Sequence, residues 1–275
     1  MPGEDVSEAL GAAKQFAEEK IATVFTQLGE RVTSTAECDA VRDHYLDLFD
    51  EIQRRGLPSH VSVKLTQLGL DIDRDACAAR VRTLADKAVA TGSFLWVDIE
   101  ESHYVDATLA VYRVVRAANP KVGLCLQAYL YRTPDDLRSL LPLKPSIRLV
   151  KGAYREPPTV AFPKKQDTDR AFESIANEML DAAAHGNMFP VFGTHDMRII
   201  DTIVARAKSL ALAKNAYELH MLYGIRMDQQ RRLAASGVVV RDLISYGTHW
   251  FPWYMRRLAE RPANVWFVVR SVFSS

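Results

Sequence analysis

The chain has 275 residues, 48% hydrophobic and 25% charged, an ordinary globular balance with room for a sizeable core. Thirty-five basic and thirty-four acidic residues leave a formal net charge of +1, so neither a nucleic-acid-binding excess nor a charged tail is present. Cys38, Cys77 and Cys125 are isolated and odd in number; they fit no disulfide or metal spacing and read as reduced thiols in a cytosol-like compartment. No signal peptide and no bilayer-length apolar run is present, so a soluble chain, at most peripheral to a membrane, is expected.

Taken in order, residues 7–20 are helical in composition and 22–26 read as a strand ending at Gly29. Residues 34–55 form a helix, with Ser34 or Thr35 as N-cap and Val41, Tyr45, Leu48, Phe49 and Ile52 at helical spacing. Strands are expected at 61–66, 94–99, 122–127, 147–151, 189–193, 217–221 and 238–244. Helices are expected at 73–91, 103–118, 134–141, 167–185, 196–212 and 226–235, with a last one opening at Pro252 and closing before Pro262. Eight strands, each followed by a helix, are the alternation of a closed (β/α)8 barrel of TIM type. A doubly wound sheet rarely reaches eight units, and no G-x-G-x-x-G follows an early strand. One domain over 1–275 is expected, with a leading helix in 1–20 and the barrel over about 21–271.

Barrel strands alternate between the helices and the axis. Val61, Val63 and Leu65 are the apolar outward set of the second strand, which turns Ser62, Lys64 and Thr66 inward. The same parity sends Asp98, Gln127 and Arg148 inward near the ends of the next three strands. Inward charge is costly unless paired or used, and barrel enzymes keep their chemistry at the C-terminal mouth. Each residue alone is compatible with a local ion pair; four converging on one end point to an active site. Gly152 allows close approach of a ligand to backbone. Thr194-His195 ends the sixth strand and Glu218-Leu219-His220 lies on the seventh, but no paired metal-ligand spacing is present and no metal is expected. On the last helix Arg256, Arg257 and Glu260 share one side. A solvated face is the default reading of such a pair; the alternative is a double fork for a carboxylate overhanging the mouth.

At this point KLTQLG (64–69), WVDIEES (96–102), LQAYLYRT (126–133), IRLVKGAYREP (147–157), FGTHD (192–196) and RRLAERPANVWFVVRS (256–271) together resemble the proline dehydrogenase family, in order and over about residues 20–271. The resemblance implies a monofunctional, FAD-dependent barrel oxidising L-proline to Δ1-pyrroline-5-carboxylate, the first step of proline catabolism. Electrons would pass to a quinone at a membrane surface. A Δ1-pyrroline-5-carboxylate dehydrogenase is the downstream partner it implies, and the location is cytoplasmic, peripheral to an inner membrane (matrix side in a mitochondrion). Carried over, Arg256, Arg257 and Lys64 would clamp the carboxylate, with Glu260 bracing the arginines and Asp98 orienting Lys64 and Arg257. Tyr154 and Leu222 would pack on the pyrrolidine ring. Arg148 would sit beside flavin N5 and Gln127 at the isoalloxazine edge. Ile99, Lys151, Gly152, Ala153, Thr194 and His195 would line the remainder of the FAD.

The sequence departs from the family in carrying Leu243 and Trp253 where tyrosines are common. Both positions touch the ring end of the substrate pocket, so the preference between proline and hydroxyproline turns on them. It also starts almost at the first strand, without the extra helices of many relatives. Competing readings are a methylenetetrahydrofolate reductase-like flavin barrel, which needs no Arg-Arg clamp, an aldolase or isomerase using Lys64 as a Schiff-base amine, and a non-catalytic binding barrel, which leaves the inward charges unexplained.

Overall fold

The computed structural model describes residues 1–29, 32–248 and 250. Eight parallel strands close on themselves in sequence order: β1 (Ala22–Gln27), β2 (Ser59–Val63), β3 (Leu95–Val97), β4 (Val122–Gln127), β5 (Ser146–Val150), β6 (Phe189–Gly193), β7 (Glu218–Leu222) and β8 (Val239–Tyr246). Helices α1 (Val6–Glu18), α2 (Thr35–Arg54), α3 (Arg74–Ala90), α4 (Val105–Ala118), α5 (Thr133–Leu140), α6 (Lys165–Ala184), α7 (Met197–Ser209) and α8 (Met227–Ala235) surround them. This is the expected (β/α)8 barrel. The helix expected from Pro252 lies outside the described residues.

Local chemistry explains the boundaries. Asp5 and Glu8 form a reciprocal capping box that starts α1, and Ser34 Oγ accepts from Glu37 N at the start of α2. α1 packs on both β1 and β8, covering their seam. That seam is closed by six register pairs, from Ala22 with Arg241 to Gln27 with Tyr246.

Two strands are shorter than their apolar patterns suggest. β2 stops at Val63 because Leu65–Leu68 fold into a 3₁₀ turn, with Lys64 still extended at its start. β3 stops at Val97, although Asp98 N still donates to Val63 O at 2.8 Å and so continues the ladder by one bond. Thr66 thus reaches its buried place as part of a turn and not as a strand residue.

The strand parity holds. Val61, Val63, Leu95, Val97, Leu124 and Leu149 lie in the large outer core between sheet and helices. A second, inner cluster of Val24, Trp96 and Val191 plugs the barrel, flanked by Phe94, Phe189 and Leu243. Trp96 fits because its register partner on β4 is Gly123, where a Cβ would lie 2.5 Å from the indole ring.

One outward residue breaks the pattern. Asp242 on β8 is fully buried, and neither carboxylate oxygen has a hydrogen-bond partner among the described residues. Burial pushes its carboxyl up to about 8; Gln230 and the Met1 amino group only partly oppose this. The folded chain therefore holds a proton here that the unfolded chain releases above its ordinary value of 3.8. Stability from this group is full below pH 4 and declines as pH rises towards 8, by at most about 1.4 kcal/mol per pH unit. Asp242→Asn should raise the melting temperature, by an amount that grows from pH 5 to pH 8. Thermal unfolding of both proteins across that range tests this; a constant difference would remove Asp242 as its cause.

Candidate active site

The polar side chains at the C-terminal mouth begin where the apolar plug ends. Arg148, on β5, is buried and its guanidinium carbon lies 5.2 Å from the centre of the Trp96 ring. Its Nη2 pairs with Asp98 Oδ1 and donates to Ser62 Oγ at 2.9 Å, and Ser62 Oγ in turn donates to Asp98 Oδ1 at 2.9 Å. Burial, the largest single influence, works against the charged guanidinium, but Asp98 and Cys125 together outweigh it and Arg148 stays cationic. Its Nη1, also buried, has no hydrogen-bond partner among the described residues. Asp98 and Ser62 thus fix one arm of the guanidinium.

Below the plug a second ion group occupies the axis. Arg241 binds Glu218 through Nε and Nη2 at 2.9 and 3.0 Å, and His220 Nε2 lies 3.0 Å from the same carboxylate. Burial, the largest single influence, would raise Glu218; the His220 and Arg241 contacts together hold it well below the usual carboxylate range. Burial pushes His220 down to about 4, so the ring is neutral at physiological pH and donates to Glu218. Its ring stands edge-on to Trp96 with centroids 5.5 Å apart.

Three loops are tied together around the mouth. Gln127, at the end of β4, donates from Nε2 to Glu100 O at 2.9 Å and accepts from Ala153 N at 3.3 Å. The Glu100 carboxylate accepts from Thr66 N and Oγ1 at 3.1 and 2.6 Å. Gly152, at φ +132, lies flat against Tyr129, where a Cβ would come within 2.5 Å of the ring. Lys151 pairs with Asp169 and, at 3.4 Å, with Asp196, the residues at the starts of α6 and α7. Thr194 Oγ1 accepts from Asp196 N at 3.2 Å, and His195 Nε2 accepts from Leu222 N at 3.2 Å.

The described candidates lie at or near the C-terminal mouth. Lys64, Ile99, Gln127, Arg148 and Thr194 are buried, and Asp98, Lys151, Gly152, Ala153, Tyr154, His195, Leu222 and Leu243 half-buried. Leu222 and Leu243 are register partners on β7 and β8, and Leu243 also packs on the inner plug. Two of the candidates have partners that the sequence did not indicate. Asp98 was expected to orient Lys64 and Arg257; among the described residues its partners are Arg148 and Ser62. Gln127 was expected at the isoalloxazine edge; its amide also bonds Glu100 O and Ala153 N, which leaves a second N–H and a second lone pair. Trp253, Arg256, Arg257 and Glu260 lie outside the described residues.

Sequence reasoning missed Ser62 as a site residue, although its inward parity was visible. It missed the Glu218–His220–Arg241 group because a metal was the only role weighed there. It also missed the buried hydroxyls of Thr26 and Ser245, register partners across the seam, which have no hydrogen-bond partner among the described residues. Among the described residues no group of three or more His, Cys, Asp or Glu is placed to hold a metal ion. Nor is any helix among them long and apolar enough to cross a membrane.

Comparison with known proteins agrees with this architecture. The proline dehydrogenase family model matches residues 9–270. Proline dehydrogenase of Deinococcus radiodurans is 37% identical over 275 residues, covering 98% of this chain and 87% of that protein. Proline dehydrogenase 1 of Bacillus subtilis strain 168 is 35% identical over 274 residues, covering 98% and 88%. Among solved structures, proline utilization A from Bdellovibrio bacteriovorus, inactivated by N-propargylglycine, superposes with a TM-score of 0.85 at 24% identity. That match covers 94% of this chain and 32% of the other, so the chain spans about a third of that protein's length and the likeness speaks for the fold alone. A family model spanning almost the whole chain, with two relatives above 30% identity, leaves one conclusion: the chain belongs to the proline dehydrogenase family.

Proposed function

We propose that this protein oxidises L-proline to Δ1-pyrroline-5-carboxylate with a bound FAD, which passes its electrons to a quinone at a membrane surface. The observation that carries the reading is Arg148, a buried cation whose Nη1 has no partner among the described residues. A buried N–H of this kind costs stability unless a ligand acceptor meets it. A fixed positive charge of this kind would suit a flavin ring, which gains negative charge on reduction. Lys151, Gly152, Thr194 and His195 border the same mouth, held there by Asp169, Tyr129, Asp196 and Leu222. Together with Ile99, Gln127 and Ala153 they are the residues that would hold the flavin. The flavin supplies the hydride acceptor.

The remaining work belongs to the chain. Lys64, buried at the mouth, carries an ammonium suited to the substrate carboxylate, and Arg256 and Arg257 would add two planar forks, with Glu260 bracing them. Tyr154, Leu222, Leu243 and Trp253 would bound the ring. Asp98 and Ser62 fix Arg148, and the plug of Trp96, Val24 and Val191 closes the mouth's floor against water. With a carboxylate so positioned, no strong protein base is required if the amine binds neutral.

The flavin-loaded protein should bleach when L-proline is added without oxygen. Spectra recorded before and after the addition test this, and a flavin that stays oxidised in excess proline would overturn the proposal.

Replacing Arg257 by Met should weaken proline binding while the flavin stays bound, at a cost of about 2–5 kcal/mol for a lost member of a desolvated charge clamp. Unchanged proline affinity by titration would take the arginine pair out of the site.

Leu243 is shorter than tyrosine and half-buried beside Leu222, which gives a hydroxylated ring steric room. The room is apolar, so an added hydroxyl loses water at a cost of roughly 1–3 kcal/mol. Apolar pockets discriminate against an extra hydroxyl by only about a hundredfold. Weak hydroxyproline oxidation is therefore expected, with proline strongly preferred and a further loss of hydroxyproline activity in Leu243→Tyr. Comparing kcat/KM for both substrates in both proteins decides it; an unchanged ratio would mean that position 243 does not face the ring.

A further inference from the structure

The segment between β5 and α6 carries Gly152, Ala153 and Tyr154, and its two ends are fastened to the β4–α5 turn. At the far end Tyr131 N donates to Val160 O at 3.1 Å and Phe162 N to Tyr129 O at 2.8 Å. The rings of Tyr131 and Phe162 meet edge-on at 4.6 Å, and Tyr131 Oη donates to Pro158 O at 2.9 Å. At the near end Tyr129 N donates to Lys151 O at 2.9 Å and Ala153 N to Gln127 Oε1 at 3.3 Å. Between these two fastenings the segment crosses to a different part of the barrel. There Glu156 takes both donors of Ser102: Oε1 accepts from Ser102 N at 2.7 Å, and Oε2 from Ser102 Oγ at 2.6 Å.

Ser102 opens the helical turn that leads into α4, so its N–H is one that a helix start leaves without an intrahelical partner. A carboxylate bound there through two short, charge-assisted bonds is favoured by the aligned peptide dipoles as well. Ser102 also follows closely on Asp98 and on Glu100, whose carbonyl holds Gln127 and whose carboxylate holds Thr66. The Glu156–Ser102 contact therefore joins the loop that bears Tyr154 to the loop that anchors Arg148.

We propose that Glu156 is a positioning residue for substrate: it fixes the Tyr154 side of the mouth against the start of α4 and so sets the width available to a small cyclic amino acid. Tyr154's part in this rests on the proline-oxidising reading above. Glu156 itself touches neither substrate nor flavin; it acts through the loop.

The test uses the flavin-loaded protein. Ser102→Pro removes both donors at once, and the site suits proline. It is the first residue of a helical turn, and Glu101 before it has φ −58 and ψ 156, the extended conformation that proline requires of its predecessor. Ser102→Pro and Glu156→Ala are each expected to raise KM for proline about tenfold, with kcat changed by less than about twofold, the pattern of lost positioning without lost chemistry. The double variant should be no worse than the worse single variant, because both remove one interaction. Glu156→Gln, which keeps one acceptor oxygen, should fall between.

A second readout is independent of activity: trypsin under native conditions should cut after the exposed Arg155 faster in Ser102→Pro than in the parent, the cleavage site itself being unchanged. Unchanged KM, additive losses in the double variant, or equal trypsin rates would each overturn the proposal. A parent flavoprotein that leaves proline unoxidised would instead overturn the functional reading, and the trypsin rates would still decide whether Glu156 holds the loop.

Discussion

The mouth of this barrel depends on one buried ion pair, Arg148 with Asp98, set directly above an indole ring. A charge inside a barrel would ordinarily be expelled or neutralised; here the carboxylate on the neighbouring-but-one strand, the Ser62 hydroxyl and the Trp96 face hold it in place. The pair is asymmetric in use. Asp98 and Ser62 immobilise one arm of the guanidinium, which orients the second arm too. Preorganisation of this kind means that little rearrangement is needed when charge develops nearby.

The same interior shows how a barrel accommodates charge at two levels without letting the levels interfere. The Glu218–Arg241 pair with neutral His220 lies under the plug and Arg148–Asp98 lies over it, with Trp96 in contact with both Arg148 and His220. Because the lower carboxylate already has its own guanidinium, it does not draw Arg148 away from Asp98. Glycine at 123 is what admits so large a separator.

Much of this was legible in the sequence, for a definite reason. Alternation with period two survives wherever a strand faces helices on one side and the axis on the other, so Val61, Val63, Leu95 and Leu149 announced the parity that turned Asp98 and Arg148 inward. The ordered motifs located the remaining candidates. Partners were less legible than positions: strand parity says which way a side chain points but not how far adjacent strands are staggered, and the stagger decides that Asp98 meets Arg148 and not Lys64. The early end of β2 was hidden too, because Leu65 and Leu68 are as apolar as strand residues while serving a turn. Gln127 was invisible as a loop tie because its partners are backbone groups, and Glu156 because Ser102 lies on a loop far from it in sequence.

The seam between β1 and β8 has a consequence for how the protein comes into being. Those strands lie near opposite ends of the described chain, so their six-pair ladder is the strand pairing of greatest sequence separation in the barrel. Chain entropy delays such contacts until most other strands have found their neighbours. Val24 meets Leu243 only when that ladder forms, and Leu222 stands beside Leu243 only once β8 is in place. A partly folded chain can therefore possess most of its secondary structure and still lack the Leu222–Leu243 side of the barrel. Catalysis, on this view, is a late and sensitive witness to the last act of folding.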